Sequence, residues 1–415
     1  MRVRWRPVLS SGWTALAILT TALIAGIFRG VPCLGGKVDT PALFARQCYS
    51  DIPVYYVGHG LSQSPDWFGG IARGFAAIEY PPLTGQFIGL MARLTHVIAS
   101  FSGRRGSENE ALIYYLVSGV TLSIVMLLSA LFLGRLVARE TWTISALLVA
   151  PVLVLESTVN WDALPLFCVV VALLAWRHKR LALFGIAVGL GIALKLYPGV
   201  MLVASVGLAV RGRSWRMALI PLGSALAAWV ASNLALALVH GDQWLVFWKL
   251  NIERRADFGS VWVALRIIGL GTPTSTMNLV YGLGLLLVCL GVVVYAAKAR
   301  GGVSVEGLSL VVLVGMLALN KVYSPQYSLW LLPLVVVYFS ASWIALWSMA
   351  ESAYFVAVWH YIVRVDNWHV QGIDKVYLLA IAARVAVQVV LAMLVLSGRE
   401  VKRPMGHGSS RSSAH

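Results

Sequence analysis

Apolar runs of 15 to 25 residues recur along nearly the whole of this 415-residue chain, and they constrain its fold more than any motif. Between them, charged residues make up only 12% of the chain against 59% hydrophobic, and the mean hydropathy is +0.80. A soluble core cannot absorb so many uninterrupted apolar segments, whereas a bundle of membrane helices requires them. The expected fold class is therefore an all-α integral membrane protein. The net charge of +16 would in other settings point to nucleic acid. Here about half of the Lys and Arg sit in short loops and tails between apolar runs, where they orient helices by the positive-inside rule, so a nucleic-acid partner is not expected.

Asking which connections are basic and poor in acid sets the topology. The N-terminus, Arg135 to Arg139, Arg177 to Arg180, Arg211 to Arg216, Lys298 to Arg300 and the tail with Arg399, Lys402 and Arg403 can all be cytoplasmic at once. That requires helices near 11–28, 111–134, 142–156, 160–176, 181–195, 197–211, 216–240, 276–297, 303–319, 329–347, 352–365 and 377–397. The count is about twelve, with both termini inside. The run after Arg2, Arg4 and Arg6 resembles a signal peptide, but no convincing cleavage site precedes Pro32, and it reads as a retained helix. Several runs are shorter than the roughly 20 residues of a straight span. Leu83 to Phe101, with Arg93 and His96, and Val261 to Gly271, with Arg266, are expected to lie along the membrane surface. Residues 1–397 then form one transmembrane domain with a first outer loop at 29–110, followed by a disordered cytoplasmic tail at 398–415.

This topology puts 13 of the 17 carboxylates on the outer side. They are Asp39, Asp51, Asp66, Glu79, Glu108, Glu110, Glu156, Asp162, Asp242, Glu253, Asp257, Asp366 and Asp374. Cations and amides accompany them: Asn160, Lys195, Lys249, Asn251, Arg254, Arg255, Asn320, Lys321 and Gln326. An ion pathway more often places charges in mid-helix. A mixture of cations with carboxylates at one face suits a phosphate-bearing lipid with a sugar head, because cations hold phosphate, carboxylates and amides hold hydroxyls, and one carboxylate can accept a proton.

Five stretches then carry a resemblance. Cys48-Tyr-Ser-Asp-Ile-Pro-Val-Tyr-Tyr56, Glu79-Tyr-Pro-Pro-Leu-Thr84, Asn160-Trp-Asp162, Gly189-Leu-Gly-Ile-Ala-Leu-Lys-Leu-Tyr-Pro198 and Ser324-Pro-Gln-Tyr-Ser-Leu-Trp-Leu-Leu-Pro333 occur in the order found in glycosyltransferase family 87. The chain resembles that family, a member of the GT-C superfamily that includes actinobacterial polyprenyl-phosphate-mannose-dependent α-mannosyltransferases. The resemblance, over about residues 11 to 397, implies a first outer loop with juxtamembrane helices above a lipid-lined cavity, and a catalytic Asp near the start of that loop. Asp51 stands at the matching position. The Ser324-Pro-Gln-Tyr stretch has no His, so a His-assisted role is not carried over.

Each candidate also has a plainer reading. Asp51 fits a general base that deprotonates an acceptor hydroxyl, or a cap on a short helix. Glu79 and Tyr80 precede two prolines, so sugar binding and structural roles both fit. Lys195, Arg254, Arg255 and Lys321 are candidate donor-phosphate contacts, with snorkelling the alternative for Lys195 and an interfacial belt for the aromatics Trp244, Phe247 and Trp248 beside the arginines. Asn160, Asp162, Tyr197, Gln326 and Tyr327 are candidate sugar or acceptor contacts, with helix capping the alternative for Asn160 and Asp162. The histidines show no metal-ligand spacing, and a phosphate leaving group demands no metal, so no cofactor is expected, although Asp39, Asp51 and Asp66 leave a divalent metal open. Cys33 and Cys48, fifteen positions apart in the outer loop, would close a disulfide just before Asp51 in an oxidising exterior.

The expected protein is thus an inverting hexosyltransferase of the plasma membrane, moving mannose from a polyprenyl-phosphate donor to a glycolipid or cell-envelope glycan. An arabinofuranosyl donor stays open. A lipid-linked sugar transporter or flippase would have similar helices, but no convincing internal duplication is found.

Overall fold

The computed structural model describes residues 11–34, 40–68, 74–76, 78–106, 109–368 and 374–398, and every regular element among them is helical. Expectations for Asp39, Glu108 and the tail beyond Gly398 fall outside the described residues.

The chain opens with α1 (Ser11–Gly30), followed by the short helices α2 (Thr40–Ala45) and α3 (Asp51–Gly58) and by α4 (Pro82–Phe101). Pro82 stands at the first position of α4, where its fixed φ suits a helix start and its missing N–H is not needed. Next come α5 (Glu110–Leu133), α6 (Arg139–Glu156), α7 (Ala163–Arg177), α8 (Leu181–Leu194), α9 (Val200–Arg211) and α10 (Arg216–Val239). The remainder is α11 (Gly241–Glu253), α12 (Val261–Ile267), α13 (Thr274–Lys298), α14 (Val305–Leu319), α15 (Ser328–Tyr338), α16 (Ala341–Trp368) and α17 (Lys375–Ser397).

Among the described residues, five segments are long and apolar enough to cross a membrane: 12–33, 110–133, 216–239, 274–298 and 375–397. Six shorter apolar helices lie between them. Their shortness has a packing consequence. At about 1.5 Å per residue, 11-residue α15 reaches only ~17 Å, well under the ~30 Å of a hydrocarbon core. It is accordingly an interior element, with every residue except Val337 buried. Helices α10 and α13 do the opposite and point Leu219, Leu226, Leu279, Leu283, Leu286, Leu287 and Leu290 outward, the surface a lipid solvent calls for.

Small residues set the closest helix pair. At Gly185 an added Cβ would meet the Pro221 carbonyl oxygen at 2.4 Å, and at Gly189 the Ala225 carbonyl oxygen at 2.3 Å, so α8 and α10 approach backbone to backbone. This is the glycine-mediated contact that packs helices where hydrophobicity alone offers no drive.

Two boundaries depart from expectation. The segments expected at 329–347 and 352–365 are divided instead at Phe339 and Ser340, because Phe339 leaves the helix in an extended conformation (φ −102°, ψ 160°) and α16 then continues unbroken to Trp368. The stretch expected as an aromatic loop before Arg254 is helical as α11, whose Trp244 donates Nε1–H to Asn233 on α10 at 3.0 Å.

Candidate active site

Helix ends converge at one end of the bundle and bring most of the expected polar residues together. Ser50 caps α3, its hydroxyl oxygen accepting the Ile52 N–H at 3.2 Å. The capping alternative for Asp51 is thereby taken by its neighbour, and the Asp51 carboxylate is left for other partners. The Asp51 backbone N–H donates to the Val159 carbonyl at 2.7 Å, which pins the start of α3 beside the turn that precedes α7.

Asp51 accepts one tyrosine hydroxyl on each oxygen: Tyr49 donates to Oδ1 at 2.9 Å and Tyr80 to Oδ2 at 2.9 Å. The carboxylate is only partly exposed. Burial, partly offset by these two hydrogen bonds and by the Lys195 cation, pushes its pKa up to about 6. The Asp51 charge above all raises the pKa of Tyr49, and burial followed by the same charge raises that of Tyr80, so both stay protonated as donors.

Tyr80 joins Asp51 to a half-buried cation. Its hydroxyl oxygen accepts Asn160 Nδ2–H at 3.2 Å, and its ring lies 5.3 Å from the Lys195 ammonium. Lys195 follows the last turn of α8 and donates to Asp162 Oδ1 at 2.6 Å. Tyr327 and Trp330 offer two further ring faces at 5.1 and 5.2 Å, so the ammonium sits in an aromatic enclosure. Asp162 heads α7 without capping it through its side chain, and its second oxygen instead accepts Trp330 Nε1–H at 2.9 Å. Asn160 closes this turn by accepting the Asp162 N–H at 2.9 Å.

A second cationic element stands across the site. Arg254, at the end of α11, pairs with Glu79 at 3.3 Å and with Asp257 at 3.6 Å. Glu79 also accepts the Tyr55 hydroxyl at 3.2 Å. Arg255 is exposed and makes no hydrogen bond or ion pair among the described residues. Tyr197 stacks on Trp330 with centroids 4.5 Å apart, and its buried hydroxyl and the Gln326 Oε1 have no hydrogen-bond partner among the described residues.

Lys321 departs from its expected place. Its ammonium donates to the carbonyls of Asn251 (2.7 Å) and Ile252 (3.1 Å) and to Asn278 Oδ1 (2.7 Å), which uses all three N–H groups. It ties the C-terminal turn of α11 to α13 and has no donor left for phosphate. Two groups that touch the centre were missed. Tyr49 stands two positions from Asp51 inside the Cys48 to Tyr56 stretch, and Trp330 inside the Ser324 to Pro333 stretch, but an aromatic residue carries no local sign that its O–H or N–H donates to a distant carboxylate. Cys33 and Cys48 are disulfide-bonded, their Cα atoms 6.0 Å apart. No group of three or more potential metal ligands exists among the described residues.

The model of glycosyltransferase family 87 matches residues 79–319, more than half of the chain. The chain belongs to glycosyltransferase family 87. No curated protein matches it. The match takes in Glu79, Tyr80, Asn160, Asp162, Lys195, Tyr197, Arg254 and Arg255, whereas Asp51, Lys321, Gln326 and Tyr327 lie outside it. Among the described residues of this glycosyltransferase, Asp51 is the carboxylate that accepts from two tyrosine hydroxyls, that the Lys195 cation faces and whose pKa burial raises to about 6.

Proposed function

We propose that this glycosyltransferase is an inverting α-mannosyltransferase of about twelve membrane helices, acting at the outer face of the plasma membrane with both termini cytoplasmic. The donor is mannose on a polyprenyl monophosphate, and the acceptor is a glycolipid or cell-envelope glycan. The observation that carries this reading is the Asp51 carboxylate, held between Tyr49 and Tyr80, with Lys195 sharing Tyr80 on its other side.

The chemistry follows from that pairing. Asp51 takes the proton of the acceptor hydroxyl as its oxygen bonds to sugar C1 and the C1–O bond to phosphate breaks. One displacement inverts the anomeric centre. The departing polyprenyl phosphate gains a negative charge, and the cations that meet it are Arg255, which is free, and Arg254, which can leave Glu79 for phosphate. Lys195 keeps two N–H groups beyond the one given to Asp162, and it balances the ionised form of Asp51. Glu79, Asn160, Tyr197 and Gln326 supply acceptors and donors for sugar hydroxyls around this line. The exposed apolar flanks of α10 and α13 give the prenyl chain a lipid-like surface.

The test is transfer of radiolabel from decaprenyl-phosphate mannose and, separately, decaprenyl-phosphate arabinose to envelope glycolipids, by wild type and Asp51→Asn. Transfer from the mannose donor alone, lost in the variant while donor binding persists, is expected. Transfer from arabinose alone would move the donor assignment to the pentose. Undiminished transfer by the variant would remove Asp51 from the mechanism.

A further inference from the structure

The loop that carries both arginines is held from below by side chains deep in the bundle. Residues 254–260 and 320–324 run side by side, with Asp257 N–H donating to the Lys321 carbonyl (2.8 Å) and Tyr323 N–H to the Phe258 carbonyl (3.0 Å). Gly259 is the pivot. Its φ is +74°, and an added Cβ would lie 1.8 Å from the Tyr354 hydroxyl and 2.3 Å from the Tyr323 carbonyl, so no other residue fits there.

Helix α17 grips this pivot by both backbone groups. Gly259 N–H donates to the Tyr377 hydroxyl at 2.7 Å, and Arg384 donates to the Gly259 carbonyl at 2.7 Å. The Arg384 guanidinium also lies 3.4 Å over the Tyr323 ring. The Tyr323 hydroxyl in turn donates to Glu351 on α16 at 2.9 Å, and Gln388 donates to Glu351 at 2.7 Å. Tyr377, Arg384 and Gln388 are seven and four residues apart, which sets them on one helix face. All are at most 2% exposed, as is Glu351.

A charged residue at mid-length of an apolar helix is costly and needs a reason to be there. Among the described residues the Arg384 guanidinium contacts Gly259, Tyr323 and Tyr354 and faces the Glu351 charge, and it makes no hydrogen bond or ion pair with the Asp51 centre. We infer that Arg384 is a positioning residue: with Tyr377, Glu351 and Gln388 it fixes the Gly259 pivot and thereby sets where Arg254 and Arg255 meet the donor phosphate. This rests on the phosphate role proposed for those two arginines. None of the four supporting residues lies within the family match, so the family assignment does not supply it.

The test is equilibrium binding of decaprenyl monophosphate, which has the donor's tail and phosphate without its sugar, to full-length purified protein. Four proteins complete a cycle: wild type, Arg384→Met, the R254A/R255A variant, and all three substitutions together. Removing both loop arginines is expected to weaken binding at least tenfold, and Arg384→Met at least fivefold. The triple variant should then lose less than twofold more than R254A/R255A, because Arg384 acts only through that loop. Arg384→Lys should recover part of the affinity. A merely structural role would make the losses multiply, and that result, or wild-type binding by Arg384→Met, would overturn the inference. If Arg384→Met does not yield monodisperse protein, Tyr377→Phe, which keeps the ring and removes the hydroxyl that accepts the Gly259 N–H, takes its place in the cycle with the same criteria. Wild-type affinity in R254A/R255A would instead refute the phosphate assignment itself, and the positioning role would fall with it.

Discussion

Replacing Asp51 by Asn should move activity and stability in opposite directions. Asn is the same size and keeps both hydrogen bonds in place, Oδ1 accepting from Tyr49 and Nδ2–H donating to the Tyr80 oxygen, so the site keeps its shape and loses its base. Loss of general-base catalysis costs on the order of 10²- to 10⁴-fold in transfer. The stability change follows from burial. Moving the carboxyl from 3.8 to about 6 means that its ionised form is disfavoured in the fold by about 3 kcal/mol, at ~1.36 kcal/mol per pKa unit. Because water reaches part of the group, a gain of ~1–2 kcal/mol is the working expectation for the neutral amide at pH 8. The sign is fixed by proton binding: the folded protein holds a proton on Asp51 between pH 3.8 and about 6 that the unfolded chain has released. The carboxyl therefore favours folding least above pH 6, and the advantage of Asn fades as the pH falls from about 6 towards 3.8 and is gone below that. Wild-type kcat/KM should correspondingly fall as pH drops through about 6. The assay is radiolabel transfer beside thermal unfolding in detergent, both at pH 4.5 and pH 8. An Asn variant that is inactive but less stable than wild type at pH 8 would show that the carboxylate serves the fold, and the reasoning would fail.

Three further outcomes follow from the same geometry. Tyr80→Phe removes one of the two hydroxyls that stabilise ionised Asp51, so the acid limb of the kcat/KM profile should move to higher pH, and an unshifted limb would refute the contact as a tuning interaction. Lys195→Met leaves Asp162, 1% exposed, without its cation, and should cost on the order of 3–5 kcal/mol of stability by thermal or denaturant unfolding, whereas pairing Lys195→Met with Asp162→Leu should recover much of it. Cys33→Ser opens a cross-link with a sequence separation of 15 and should lower stability by about 3 kcal/mol, a loss that reductant reproduces in wild type and does not add to in the variant.

What could be read from the chain was set by chemistry that is local. Asp51, Tyr80, Asn160, Asp162, Lys195 and Tyr327 all stand at helix ends, where polar residues interrupt apolar runs, and an interruption is visible without a structure. The charge of Lys321 was equally visible, but its three acceptors are not: two are backbone carbonyls some 70 positions away, and a carbonyl has no signature in a sequence. The break at Phe339 was hidden for a related reason. Residues 329–347 contain no glycine, and Pro333 sits inside α15 without ending it, so hydropathy runs on past a turn. The only local sign is Ser340, whose carbonyl accepts from Ile344 at the start of α16, a weak helix-start signal.

Arg384 shows how a topology argument can hide function, while Glu351, expected in the connection between 347 and 352, lies inside α16. Sorting charges by loop places each cation at a membrane surface, and a charge that falls in mid-helix has no loop to be sorted into. Such residues are the expensive ones, because lipid offers no water to compensate them. In this chain the expense resolves into contacts with two loops: Arg384 and Tyr377 hold Gly259, while Glu351 and Gln388 hold Tyr323. Other contacts of the 254–260 loop include the pair of backbone bonds it shares with 320–324, the tie of Arg254 to Glu79, the Arg266 donation to the Ala256 carbonyl and the Ser260 cap of α12. A phosphate-binding arginine gains from a fixed backbone, since a contact that must be ordered on binding loses affinity to that ordering. On the proposed reading, the interior charges and the two loop arginines are parts of one arrangement, in which buried contacts supply the rigidity that phosphate binding needs.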